Sequence, residues 1–113
     1  MRWLLLLGLF LTACSKGPQA DLQYVKQARS LAAEWALIND QADQGKLNRT
    51  YVSSMHEWLR QQLQTSSTSL TEPNSGYGLE IQALLAQPDD ARPEDLRGHV
   101  DKLKQIEDGL ESA

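Results

Sequence analysis

The sequence predicts an all-α protein, a small antiparallel bundle of about four helices behind a cleaved export signal. Three observations predict it. Leucine, alanine, glutamine, glutamate and lysine are common while isoleucine and valine are sparse, a mixture that favours helix over strand. Beyond residue 20, apolar side chains recur at intervals of three and four in separate segments. The seven glycines and four prolines fall mostly at the breaks between those segments.

The chain starts with Met1 and Arg2, then an unbroken apolar run from Trp3 to Leu11. Nine residues make a helix of about 14 Å at roughly 1.5 Å per residue, too short for a hydrocarbon layer of about 30 Å. The run therefore reads as an export signal, not a permanent span. Leu11, Thr12, Ala13 and Cys14 follow, with small residues between the leucine and the only cysteine. Here the sequence resembles the bacterial lipoproteins, whose lipobox places leucine three residues before the cysteine that becomes the first mature residue. The resemblance covers about the first 15 residues. It implies cleavage after Ala13, diacylglycerol on the Cys14 sulfur and acylation of the new amino terminus. It also implies a membrane-anchored protein facing the periplasm, and Ser15 beside the cysteine is compatible with transfer to the outer membrane. A lone cysteine has no disulfide partner within the chain, and acylation accounts for it.

The expected division is residues 1–13 as signal, 14–20 as lipidated cysteine and tether, and 21–113 as one helical domain. Without Arg2, ten basic residues face fifteen acidic ones. That balance argues against nucleic acid, whose phosphates need clustered Lys and Arg, and against attraction to anionic headgroups, so the lipid alone is expected to hold the membrane.

Ser15 to Ala20 lacks apolar periodicity and contains Gly17 and Pro18, as a solvated tether would. The first helix is expected from about Asp21, as N-cap, to Gln44. Tyr24, Ala28, Leu31, Trp35, Ile38 and Ala42 form its seam, and Gly45 is placed to end it in a left-handed conformation. Leu47 and Val52 flank Asn48 at the spacing of a hydrophobic staple around an N-cap. The second helix carries Tyr51, Val52, Met55, Trp58, Leu59 and Leu63 and is expected to end near Ser67, because the run from Thr65 to Ser69 consists of weak helix formers. Glu72 to Gly78 is turn-rich and reads as the most mobile stretch. A short helix starting near Asn74 or Ser75 turns Ile81, Leu84 and Leu85 inward and stops before Pro88. Pro93, Glu94 and Asp95 suit the start of the last helix, whose stripe is Leu96, Val100, Leu103, Ile106 and Leu110.

Chemistry-bearing patterns are few. His56 and His99 lack the local spacing of a zinc pair and read as helix-surface histidines with partners one turn away, His99 with Asp95. Replacing either with alanine is then expected to change stability by only about 0.5 kcal/mol. Residues 39–50 depart from a calcium loop at the glycine and at the final glutamate position. No nucleophile elbow, phosphate loop or dinucleotide fingerprint occurs, so neither a catalytic residue nor a cofactor or metal is expected. Trp35 and Trp58 lie on apolar stripes and read as core, while Tyr24, Trp58 and Tyr77, at stripe margins, are the candidate contacts for a partner. The expected function is a non-enzymatic accessory or adaptor in an envelope assembly, bound to the membrane through Cys14 and to an envelope protein. A small ligand-binding or inhibitory lipoprotein is the alternative, and a hydrolase or metalloenzyme built on His56 or His99 ranks third.

Overall fold

The computed structural model describes residues 17–113, and the signal, the lipobox and Cys14 lie outside the described residues. Four helices follow in order: α1 Pro18–Asp43, α2 Arg49–Thr68, α3 Gly76–Leu85 and α4 Pro93–Glu111. The described residues form a small all-α bundle with no strand.

α1 is the hub. It lies antiparallel to α2 through the hairpin at Gly45, and antiparallel to α4 along nearly its whole length. Successive ties mark that second pairing: Gln19 Nε2 donates to the Leu110 carbonyl at 3.0 Å, Arg29 meets Glu107 at 2.8 Å, and Arg97 approaches Asp40 at 3.7 Å. α2 and α4 do not pack on each other; the short α3 bridges them. The core is built from Val25, Leu31, Trp35, Leu59, Leu63, Ile81, Leu84, Leu96 and Leu103, all buried, so every helix contributes to it, although α2 does so with only Leu59 and Leu63 of its predicted stripe. At about 25 cal/mol per Å² of apolar area removed from water, these stripes supply the main driving force for closing the bundle.

The ends of the helices show which local signals hold. Gly45, at φ 71°, lets Gly45 N–H bond Ala42 O at 3.0 Å and Lys46 N–H bond Gln41 O at 3.0 Å, which satisfies the last carbonyls of α1. The Asn48 side chain caps α2, accepting from the Tyr51 N–H at 2.8 Å. α2 runs to Thr68, slightly past the expected end. The hydroxyls of Thr65, Thr68 and Ser69 bond carbonyls four residues back at 3.0, 3.0 and 2.7 Å, so their hydrogen-bonding capacity is met within the last turns.

Two expectations at the start of the domain need correction. α1 begins at Pro18, inside the supposed tether, because a proline at the first helical position gives up no needed N–H. Asp21 is not its cap; that place belongs to Gly17 at φ 79°. Asp21 is buried in the first turn, and its carboxylate accepts from Thr71 N–H at 2.8 Å, Thr71 Oγ1 at 3.0 Å, Glu72 N–H at 3.1 Å and the Tyr77 hydroxyl at 2.6 Å. The stretch expected to be mobile is thereby bonded to α1. Its glycine at 78 is also a packing requirement, since a Cβ there would stand 2.2 Å from the Pro73 carbonyl oxygen.

Candidate functional site

The far end of α1 meets the α1–α2 turn and the loop between α3 and α4, and there the polar side chains converge. Asn39 projects from α1 and is buried. Its amide nitrogen donates to the Asp89 carbonyl at 2.9 Å and the Ala91 carbonyl at 2.8 Å, which uses both amide hydrogens. Its oxygen, 2.7 Å from His56 Nε2, must then accept, so His56 carries its hydrogen on Nε2. Nδ1 is left as the acceptor nitrogen of a neutral ring, with no hydrogen-bond partner among the described residues.

Two side chains complete the clamp on the loop. Trp35 Nε1 donates to the Asp89 carbonyl at 2.9 Å. Arg60 lies over the Trp35 ring, 5.1 Å from its centroid, and reaches the Asp89 carboxylate at 2.5 Å, the Leu85 carbonyl at 2.8 Å and the Gln87 carbonyl. Three residues on two helices, Trp35, Asn39 and Arg60, thus hold the backbone from Leu85 to Ala91. They also fix the orientation of the imidazole.

His56 is not the surface histidine expected, because α1 covers it and Asn39 bonds it across the helix pair. Burial pushes its pKa down from the ordinary histidine value; Arg60 adds to this, while Asp89 and Asp90 oppose it. A group whose folded pKa is depressed contributes stability that is present above its unfolded value, about 6.5, and lost as pH falls toward the folded value. His56→Ala should cost about 1 to 3 kcal/mol at neutral pH, since it strands the buried Asn39 oxygen. The penalty should shrink below pH ~6, where the parent loses its own advantage. Urea denaturation of both proteins across that range measures it. An unchanged midpoint at neutral pH would mean the Asn39 bond contributes nothing.

His99 also departs from expectation. It sits between α3 and the following loop, with Nδ1 2.5 Å from Glu80 Oε1 and Nε2 3.1 Å from Gln87 Nε2, instead of pairing with Asp95 on its own helix. Asp95 turns to Arg92. The two histidines therefore lie in separate networks. Among the described residues, one trio of ligand-type side chains converges to within 4.8 Å, Glu107, Asp108 and Glu111. Each already faces a cation, Arg29 at 2.8 Å, Lys104 at 2.7 Å and Lys26 at 3.9 Å respectively.

A groove of about 350 Å³ opens beside His56, lined by Ala42, Leu47, Arg49, Val52, Ser53 and His56. A smaller cavity of about 90 Å³ adjoins it, sharing Ala42, Val52 and His56 and adding Asn39, Asp43 and Asp90. His56 thus lines both spaces.

The three candidate partner contacts separate. Trp58 is 44 % exposed, not core as its stripe suggested, and stands on the outer side of α2 with Tyr51. Tyr24 is partly buried against the core. Tyr77 is buried, with its hydroxyl bonded to Asp21, which removes it from any outer surface. That burial, with the Asp21 bond, pushes the phenol up to about 12, so it stays a donor. Leu37 and Leu79 are the other large apolar side chains left exposed. Sequence reasoning missed Asn39, Arg60 and Asp89; the only local sign was an arginine and an asparagine standing within apolar seams. Comparison with known proteins finds no matching family model, no matching curated protein and no matching solved structure.

Proposed function

We propose that the chain is a lipid-anchored protein of the bacterial cell envelope, a non-enzymatic accessory or adaptor held to the membrane through Cys14 and facing the periplasm. The lipobox carries this reading. Two features agree with it. No helix of the described residues is long and apolar enough to cross a membrane. The exposed Tyr51 and Trp58, seven residues apart on α2 and so on one side of it, offer an apolar contact for an envelope protein.

The test is the anchor. One acyl chain binds marginally while two or three, at about 0.8 kcal/mol per buried methylene, hold stably. Cys14→Ser is expected to move the protein from the membrane fraction to the soluble one. Retention of that variant after a high-salt wash would overturn the reading.

A second reading, a small ligand-binding lipoprotein, is favoured by one specific observation. The groove beside His56 is concave and mostly apolar, with the His56 ring held in place by Asn39 at its edge.

A further inference from the structure

The outer side of α2 carries a surface of its own. Tyr51, Met55, Trp58, Gln62 and Thr65 follow at spacings of four, three, four and three, the seam by which one helix meets another in a coiled coil. α2 packs on α1 and α3, and these five positions stay open or half-open, with Tyr51 46 % and Trp58 44 % exposed. Beside the seam stand Ser54 and Gln61, both exposed and uncharged. Charge at the exposed positions of α2 is confined to Arg49 at its start and to Glu57, about 100° round the helix from Trp58. α4 differs: Arg97, Asp101, Lys102, Lys104 and Asp108 populate its exposed side. Depletion of charge together with Trp, Tyr and Met is the composition of an interface core, whereas a face like that of α4 is built for water.

We propose that this seam pairs with the same seam of a second copy of the chain, the two α2 helices running parallel about a twofold axis. An uncharged face is complementary to itself, since no like charges meet when two copies are related by symmetry. The Gln62 amide has donors and an acceptor, so it can bond its own counterpart, and a single polar residue in such a seam sets the register. The tether favours the parallel sense. Ser15, Lys16 and Gly17 alone separate Cys14 from Pro18, at most roughly 14 Å of chain. A parallel pair brings both α1 starts to one end, within that reach of a common membrane, whereas an antiparallel pair separates them by about 39 Å, the length of α1. From Tyr51 to Thr65 the seam is about 21 Å long and one helix, about 10 Å, wide. So small a strip stands at the low end of specific interfaces, below about 1,200 Å² in total. The pairing is therefore weak in solution and gains from confinement of both copies to one surface, which raises their effective concentration.

The parallel sense rests on the anchor proposed for Cys14 while the seam itself does not, and the experiment separates the two. Full-length chains carrying single added cysteines are oxidised with copper phenanthroline in isolated membranes and read on non-reducing gels. Met55→Cys and Gln62→Cys are expected to give dimers of twice the chain mass, while Glu57→Cys, on the same helix, and Lys102→Cys, on α4, stay monomeric. Trp58→Glu, a change at an exposed side chain, should abolish the Met55→Cys dimer and leave the thermal melt unchanged. Absence of dimers at both seam positions would overturn the proposal, as would equal yields at Glu57 and Lys102, the mark of random collision. A crosslinked product of any other mass would give the seam to a different protein and overturn the second copy as its occupant. Dimers that form only between Met55→Cys and Trp58→Cys chains would overturn the parallel arrangement. Fractionation reads the anchor by itself: a chain found in the soluble fraction fails the Cys14 reading, and crosslinks then read in the Cys14→Ser background still decide the seam.

Discussion

Trp35→Ala is expected to remove about 3 to 5 kcal/mol, the range for truncating a large buried aromatic, which is a major share of the total stability of a domain this size. Trp35 is 1 % exposed, and its loss empties the space where α1, α2 and the α3–α4 loop meet. It also deprives Arg60 of the ring face it lies on. At roughly 4 to 8 °C per kcal/mol for a domain of under about 100 residues, the melting temperature should fall by tens of degrees. Trp35→Phe keeps most of the volume and loses the bond to the Asp89 carbonyl, which Asn39 still serves. It should cost far less. Thermal melts of the three proteins side by side decide the matter. Similar losses for alanine and phenylalanine would mean that the indole bond, and not the packing, carries the effect.

Asp21→Asn is expected to rank second, at about 2 to 4 kcal/mol. Bonds to a charged group are worth about 1.5 to 3 kcal/mol each, though several to one carboxylate do not add fully. An amide also cannot accept at both of its ends, so part of the set of donors from Thr71, Glu72 and Tyr77 is stranded. The pH dependence follows from the carboxyl's pKa. Burial alone would raise it, but the Thr71 N–H, the Tyr77 hydroxyl, the Glu72 N–H and the Thr71 hydroxyl together hold it below the ordinary value. The contribution is therefore fully present above the unfolded pKa of about 3.9 and lost as pH falls through the lower folded value. Tyr77 has the opposite sign: with a folded pKa of about 12, its contribution holds below the ordinary value of about 10 and is lost as pH rises through 12. Denaturation of the parent and of Asp21→Asn should converge only at strongly acid pH. A constant difference between them down to pH ~2 would show that the carboxylate's charge is not what the loop requires.

Which parts were legible in the chain depends on how far apart in sequence the partners stand. The seams of α1 and α4, the Asn48 cap, the Gly45 exit and Pro93 at a helix start are local patterns, and each is found where its spacing put it. Trp35 and Trp58 carry the same local pattern, yet one is sealed and the other exposed. The difference lies in the arrangement of the helices. α4 packs along α1 and not along α2, so the far side of the α2 stripe has no helix to cover it. Asp21, Asn39 and His56 were misread or missed for a related reason, since their partners lie 17 to 56 residues away. Nothing in a single sequence marks such pairs.

The two clamps on α1 have a mechanical consequence. Asp21 grips the α2–α3 loop and Asn39 the α3–α4 loop, both from one rigid rod, and eighteen residues of helix separate them by about 27 Å. Neither loop can swing away unless its bonds to α1 break. Fraying of the first turn of α1 would release Thr71 and Glu72 while leaving the Asp89 end closed. The molecule can thus loosen at the amino-terminal end of α1, where a pull from the residues before Gly17 would arrive first, and still keep the shape of the groove at the other.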